Sequence, residues 1–395
     1  MKLLQAKLAQ YQEPQKAKAL GIYPYFREIE SEQDTEVYML GKKVLMFGSN
    51  CYTGLVNDKR VHEAAIKAIQ KYGTGCAGSP FLNGTLDIHK KLERRLADYV
   101  GKEDAMVYST GFGVNLGVVS TLTGRGDYII CDEQDHASII EGRRLSFSNY
   151  LKYKHNDMAS LEEQLKKCEP DRVKLIVTDG VFSMEGDVCN LPEICDLARK
   201  YKAAVMVDEA HSIGVFGEGG RGVCNHFGLS DEVDLIMGTF SKSFASLGGF
   251  IACDETITNF LRHHSRSYIF TASITPASTA AVDAALDIML NEPERQEQLW
   301  KVTHYALDGF RAMGCEIGNT STPIIPLYIR DQNKTFAITA ELLNEGIFVN
   351  PVVSPAVAPQ DTLIRYSLMA THTKEQVDFS LEKIQKVFRK FGVIK

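Results

Sequence analysis

Residues Lys174–Asp208, "KLIVTDGVFSMEGDVCNLPEICDLARKYKAAVMVD", decide the fold. Two short apolar runs, "KLIVTD" and "AAVMVD", each end in an aspartate and are separated by a connection of helix length. Similar runs recur on both sides: "AMVYST", "YIICDE", "YLKYKH", "VDLIMGTF" and "GGFIACD". Seven such runs, mostly separated by helical stretches, predict an α/β fold with a mostly parallel seven-stranded sheet covered on both faces. In sheets of that kind ligands gather at the carboxyl ends of the strands, so the polar residues there are the candidates for chemistry.

The remaining organisation follows from rhythm and caps. The first forty or so residues read as a helical arm followed by the extended segment "KKVLMFGSN". "TLDIHKKLERRLADYVG" places Ile88, Leu92, Leu96 and Tyr99 on one helical face, with Thr85 as N-cap and Gly101 past the end. Beyond about Pro276 come long helices, "TPIIPLYI", a helix, "GIFVNPV", "LIRYSLMA" and a last helix. That helix opens with a capping box at Thr373 and Gln376. The expected division is a helical arm over residues 1–45, a large domain over 46–280 and a smaller C-terminal α+β domain over 281–395.

Composition narrows the classes. The 395 residues carry a net charge of −6, with 44% hydrophobic and 24% charged residues, as in an ordinary globular protein. That balance gives no electrostatic reason to expect a nucleic-acid partner. Nine scattered cysteines without a CxxC pair read as reduced, buried thiols of a cytoplasmic protein, and no metal site is expected. The amino terminus lacks the continuous apolar core of a signal peptide, and no run approaches the roughly 18 apolar residues of a membrane span, so any lipid contact is peripheral. Two short motifs mislead. "DEAH" at Asp208–His211 has no GxxxxGK[ST] string upstream to make a phosphate-cleaving motor. "GEGGRG" at Gly217–Gly222 matches GxGxxG but lies well beyond a strand end and opens no obvious helix, which reads as a flexible loop.

Four strand ends remain, and they complement one another. "VYSTGFGVNLG" is strand, glycine turn and helix, so the N–H groups of Gly111 and Phe112 sit at a helix N-terminus that favours an anion; a plain β–α turn is the alternative. His136 in "CDEQDHASII" is either a solvated loop histidine or a ring stacked on something flat. Asp208 ends a very apolar strand, where a carboxylate needs a cation or a strong donor, and His211 follows. Lys242 in "GTFSKSFASLGG" sits beside Thr239 and Ser241; alone it could be an ordinary snorkelling lysine. Together the set suits pyridoxal phosphate, whose aldehyde takes a lysine, whose ring nitrogen needs an acid and whose phosphate needs N–H and O–H donors.

The strings "VDEAHSIGVFGEGGRG", "GTFSKSFASLGG", "DEQDHASII" and "YSTGFGVNLG" resemble the α-oxoamine synthases, fold-type I pyridoxal phosphate enzymes that join an amino acid to an acyl-CoA. The resemblance runs from about Val44 to the end. It implies a homodimer with active sites at the subunit interface, Lys242 as Schiff-base lysine and later the base for the α-proton, and Asp208 on the pyridinium. His136 would stack on the ring, and His211 would bond the phenolic oxygen with Ser183 nearby. Gly111, Phe112, Thr239 and Ser241 would hold the phosphate, helped by Thr271 from the second subunit. Arg365 would bind the substrate carboxylate with Asn50 beside it. The chain departs from the pattern at Cys51, where relatives often have asparagine. "GSPFLNGTLDIH" and "RSYIFTASITPA" resemble the branch that uses L-serine and a long-chain acyl-CoA, more than the glycine and acetyl-CoA branch or the biotin-pathway branch. A catalytically silent subunit of the same fold would typically lack the lysine, and Lys242 is present.

Overall fold

Except at the sheet edge, where Asn149–Tyr153 buries only Tyr153, the apolar runs become strands buried along almost their whole length, as parallel strands covered on both faces should be. The structure, a computed structural model, describes residues 2–395. Strands β1 (Glu36–Met39) and β2 (Lys42–Met46) come first. The central seven are β3 (Asp104–Tyr108), β4 (Tyr128–Asp132), β5 (Asn149–Tyr153), β6 (Lys174–Asp179), β7 (Ala204–Asp208), β8 (Leu235–Thr239) and β9 (Gly249–Cys253). The last four are β10 (Ile324–Tyr328), β11 (Ile347–Phe348), β12 (Asn350–Val352) and β13 (Leu363–Ser367).

The chain forms two compact units. The larger holds Asn50–Ser183 and Asp187–Leu299; the smaller holds the chain up to Ser49, Met184–Gly186 and Trp300–Lys395. The seven central strands build one sheet in the order β3-β9-β8-β7-β6-β4-β5. Strand β9 runs antiparallel to both β3 and β8, and every other pairing is parallel. The sheet is therefore mostly parallel, as expected.

In the smaller unit β10, β13 and β12 pair antiparallel. Strand β2 pairs with β1 antiparallel and with β11 parallel, and this ladder draws the amino-terminal segment into the smaller unit. The expected boundary at 280 falls inside the helix Pro276–Asn291, which packs on the helix Lys59–Tyr72, so the larger unit continues to Leu299. The capping box at Thr373 and Gln376 is present, with Thr373 Oγ1 accepting from the Gln376 N–H at 3.2 Å and Gln376 Oε1 from the Thr373 N–H at 3.1 Å. Thr85 does not cap its helix. Its hydroxyl donates to the Pro80 carbonyl at 2.7 Å, and the helix runs from Asp87 to Val100 with Gly101 left-handed at its end.

Strand periodicity explains where the larger unit turns polar. On β6, β7 and β8 the residues Leu175, Val177, Met206, Leu235 and Met237 belong to one core cluster with Val114 and Val118 of the helix Gly111–Leu122. Side chains two residues apart share a face, so Asp179, Asp208 and Thr239 continue the same rows at the strand ends. All nine cysteines are free, and Cys131 and Cys253 lie in that core. No helix among the described residues is long and apolar enough to cross a membrane.

Candidate active site

At those strand ends the larger unit holds a cavity of about 260 Å3. Eight of the residues singled out from the sequence line it: Gly111, Phe112, His136, Asp208, His211, Thr239, Ser241 and Lys242. Asn115, Ser138, Asp179 and Met237 line it as well, and none of these was assigned a role from the sequence.

One end is built to take an anion. Thr110 caps the helix Gly111–Leu122 by accepting the Gly113 N–H at 2.9 Å, and the N–H groups of Gly111 and Phe112 belong to the same open first turn. Thr239 Oγ1 stands 3.0 Å from Ser241 Oγ. A Cβ at Gly111 would come within 2.5 Å of Thr239 Oγ1, so only glycine lets the helix end and the hydroxyl pair approach this closely.

The cavity wall carries adjacent acids. Asp179 and Asp208 are register partners on β6 and β7, 3% exposed each. Asp208 is well supplied with donors: Asn115 Nδ2 at 2.6 Å to Oδ2 and the Ala210 N–H at 2.9 Å to Oδ1. Asp179 accepts the His136 N–H at 2.8 Å. Burial, followed by the negative charge of Asp208, pushes its carboxyl well above the ordinary carboxylate range. Behind it, burial and the charges of Asp179 and Asp132 do the same to Asp135, whose Oδ1 accepts the Asp179 N–H at 3.1 Å. Two acids side by side in a dry wall cannot both ionise cheaply, and Asp208 is the one with a donor on each carboxylate oxygen.

The two histidines are held from behind. His136 is the N-cap of the helix Ala137–Leu145, and its Nδ1 accepts the Ser138 N–H at 3.2 Å. Burial lowers its pKa, with Asp208 and Lys242 pulling in opposite directions, so the ring is neutral at neutral pH. His211 Nδ1 lies 2.7 Å from the hydroxyl of Tyr52, which is fully buried and also 3.4 Å from Asn50 Oδ1. Tyr52 sits two residues from Asn50 in "GSNCYTGL", yet its partner is 159 positions away, and only the fold reveals the pair.

Lys242 is half-buried in the turn between β8 and β9. It faces the same cavity as Asp208, with the hydroxyl pair and the open helix end in the same lining. This set of an amine, a donor-held acid, a flat neutral ring and an anion cradle fits pyridoxal phosphate group by group.

Other predicted residues lie elsewhere. Ser183 is half-buried in the loop after β6, outside the cavity lining; Asn50 is likewise outside it, and Thr271 is exposed before the helix Pro276–Asn291. Arg365 is on β13 of the smaller unit, 5% exposed, with Nη1 donating to Ser367 Oγ at 2.6 Å.

The "GEGGRG" segment is anchored, contrary to its reading as a flexible loop. Glu209, fully buried, accepts the Val223 N–H at 2.8 Å and the Cys224 N–H at 2.7 Å, and Ser212 bonds the same carboxylate. A Cβ at Gly222 would strike Glu209 Oε2 at 2.7 Å. The second letter of "DEAH" is thus a clamp for the following loop.

The family model described as aminotransferase class I and II matches residues 42–384, and the chain belongs to this family. Among curated proteins it is 65% identical over 394 residues to a serine palmitoyltransferase of Bacteroides thetaiotaomicron, covering 100% of both chains. It is 43% identical over 385 residues to an 8-amino-7-oxononanoate synthase of Petrotoga mobilis, covering 97% of this chain and 98% of the other. Among solved structures it matches a serine palmitoyltransferase from S. paucimobilis, solved with bound PLP and myriocin, at a TM-score of 0.97 and 35% identity, covering 100% of each chain. The resemblance read from the four motifs is borne out.

Proposed function

We propose that this protein condenses L-serine with palmitoyl-CoA, using pyridoxal phosphate, to give 3-oxosphinganine, CoA and CO2. One observation carries the reading: Lys242 and Asp208 line a single cavity whose other end is a helix N-terminus with the Thr239–Ser241 hydroxyl pair. The likeness to serine palmitoyltransferases over the whole chain supports the choice of substrates.

Bound there, the cofactor supplies an electron sink for negative charge at the α-carbon of an amino acid. The chain's own residues then divide the work. Lys242 would hold the cofactor through its carbonyl carbon and would serve as the base for the α-proton of serine. Asp208, which accepts from Asn115 and from the Ala210 N–H, would pair with the ring nitrogen. His136 would lie against the ring, and His211, whose Nδ1 is held by the Tyr52 hydroxyl, would bond the phenolic oxygen. Ser183 supports that contact. Gly111, Phe112, Thr239 and Ser241 would hold the phosphate. Arg365 anchors the serine carboxylate with the aid of Asn50, a pairing that suits a planar guanidinium. The enzyme works as a cytoplasmic homodimer in which Thr271 of the partner subunit completes the phosphate site.

The test is a matrix of substrates. Purified protein loaded with pyridoxal phosphate is mixed with serine, glycine or alanine and acyl-CoAs of increasing length, and free CoA thiol is measured. Serine with a C16 acyl-CoA should release thiol fastest. Release with glycine and acetyl-CoA but none with serine would overturn the proposal.

A further inference from the structure

The helix behind the anion cradle begins "GFGVNLG", and the one amide in this apolar stretch is Asn115. Asparagine is a poor helix former, and this one is 0% exposed, where an amide is tolerated only for its hydrogen bonds. Its Oδ1 is buried without a hydrogen-bond partner, so the position is kept for its two N–H donors and not for its acceptor.

Those donors set the protons along the chain from Asp208 to His136. An ionised carboxylate only accepts, so Asp208 Oδ2 at 2.6 Å fixes which end of the Asn115 amide faces it. The second N–H then points to Ser138 Oγ at 2.8 Å. Having accepted there, the serine hydroxyl is left to donate. His136 Nδ1 lies 2.7 Å away and already accepts the Ser138 backbone N–H at 3.2 Å, so it carries a lone pair. The imidazole proton is therefore on Nε2. Rotating the ring by half a turn would forfeit both bonds from Ser138.

We propose that Asn115 is a positioning residue that joins Asp208 to His136 through Ser138, so that one buried amide sets both the orientation of the acid and the tautomer of the ring. The proposal rests on pyridoxal phosphate being the occupant of this cavity. Its consequence is that the acid at the cofactor's nitrogen and the imidazole at its face are adjusted together: loosening one loosens the other.

The protein labelled with 15N-histidine tests this before any cofactor is added. The His136 signals are assigned by their absence in His136→Gln. In the cofactor-free wild type they should show a proton on Nε2 and a bare Nδ1. In Asn115→Leu they should show a mixture of tautomers, and equilibrium binding of pyridoxal phosphate should weaken at least tenfold. Ser138→Ala, which keeps the Asn115–Asp208 bond, should disturb the tautomer while weakening cofactor binding less. A wild-type spectrum with the proton on Nδ1 overturns the proposal without recourse to any variant. So does an Asn115→Leu protein with unchanged tautomer and unchanged affinity. If the wild type instead showed the expected tautomer but bound no pyridoxal phosphate, the cofactor reading would fail while the hydrogen-bond chain stood.

Discussion

In the larger unit His155 lies between two carboxylates, with Nδ1 3.0 Å from Asp132 and Nε2 3.3 Å from Asp187. In the smaller unit His372 lies flat on Phe47 with ring centroids 4.4 Å apart; its Nδ1 accepts the Met369 N–H at 2.9 Å and its Nε2 lies 3.1 Å from the Met46 carbonyl oxygen. Burial works against charge in both. For His155 the hydrogen bonds it donates to Asp132 and Asp187 outweigh it and push the pKa up to about 9. For His372 burial wins and lowers the pKa to about 4. The same side chain is an ion in one unit and a neutral plate in the other. The difference lies in the acids at the strand ends. Asp132, Asp135, Asp179 and Asp208 line up behind and beside the cavity of the larger unit, whereas His372 bonds the backbone of Met369 and Met46 and stacks on Phe47. The larger unit thus gathers buried acids at its strand ends, and the buried charge of the smaller unit is the cation Arg365 on β13.

The sharpest break of that contrast is Asp208→Asn. The amide keeps the shape but cannot hold a proton on a ring nitrogen, so CoA release from serine and palmitoyl-CoA should fall about 10²–10³-fold with the unfolding midpoint little changed. Equal activity would place the charge elsewhere. Next come the histidines, whose contributions run in opposite senses with pH. A free histidine titrates near 6.5. The folded pKa of His155 is raised, so its stabilisation is complete below about pH 6.5 and fades as the pH climbs toward 9. The folded pKa of His372 is depressed, so its stabilisation is complete above about pH 6.5 and fades as the pH falls toward 4. Each limb amounts to about 3 kcal/mol at most. Urea unfolding across this range should show the alkaline limb flattened in His155→Gln and the acid limb flattened in His372→Gln. A swap of the two limbs would contradict the assignment. The smallest effect belongs to the smaller unit's packing: Thr373→Ala removes a helix cap and should cost about 1 kcal/mol with no change in turnover.

Much of this contrast was legible in the sequence. Strands buried on both faces read as unbroken apolar runs, and the polar residues that end them, Asp208 and Thr239, stand out by position alone. Lys242 stood out once its neighbours were counted. Asn115 and Ser138 lay inside quoted motifs without announcing themselves, because their meaning is a set of bonds to partners 93 and 23 positions away. Tyr52 was hidden for the same reason. Thr85 was misread because a hydroxyl just before a helix has two uses, and here the nearby Pro80 carbonyl took it. The domain boundary was misplaced because the rhythm of helices does not reveal what each helix packs against. The helix Pro276–Asn291 looked like the start of a new domain and lies on the helix Lys59–Tyr72 instead.

The whole account turns on which amine carries the cofactor. Treating the protein with borohydride in the presence of pyridoxal 5'-phosphate fixes the cofactor to its lysine, and peptide mapping by mass spectrometry then reads the position. A single modified peptide spanning "GTFSKSFASLGG", with the adduct on Lys242 and none in Lys242→Ala, is the predicted result. An adduct on another lysine, or a wild type that takes up no cofactor, would contradict it.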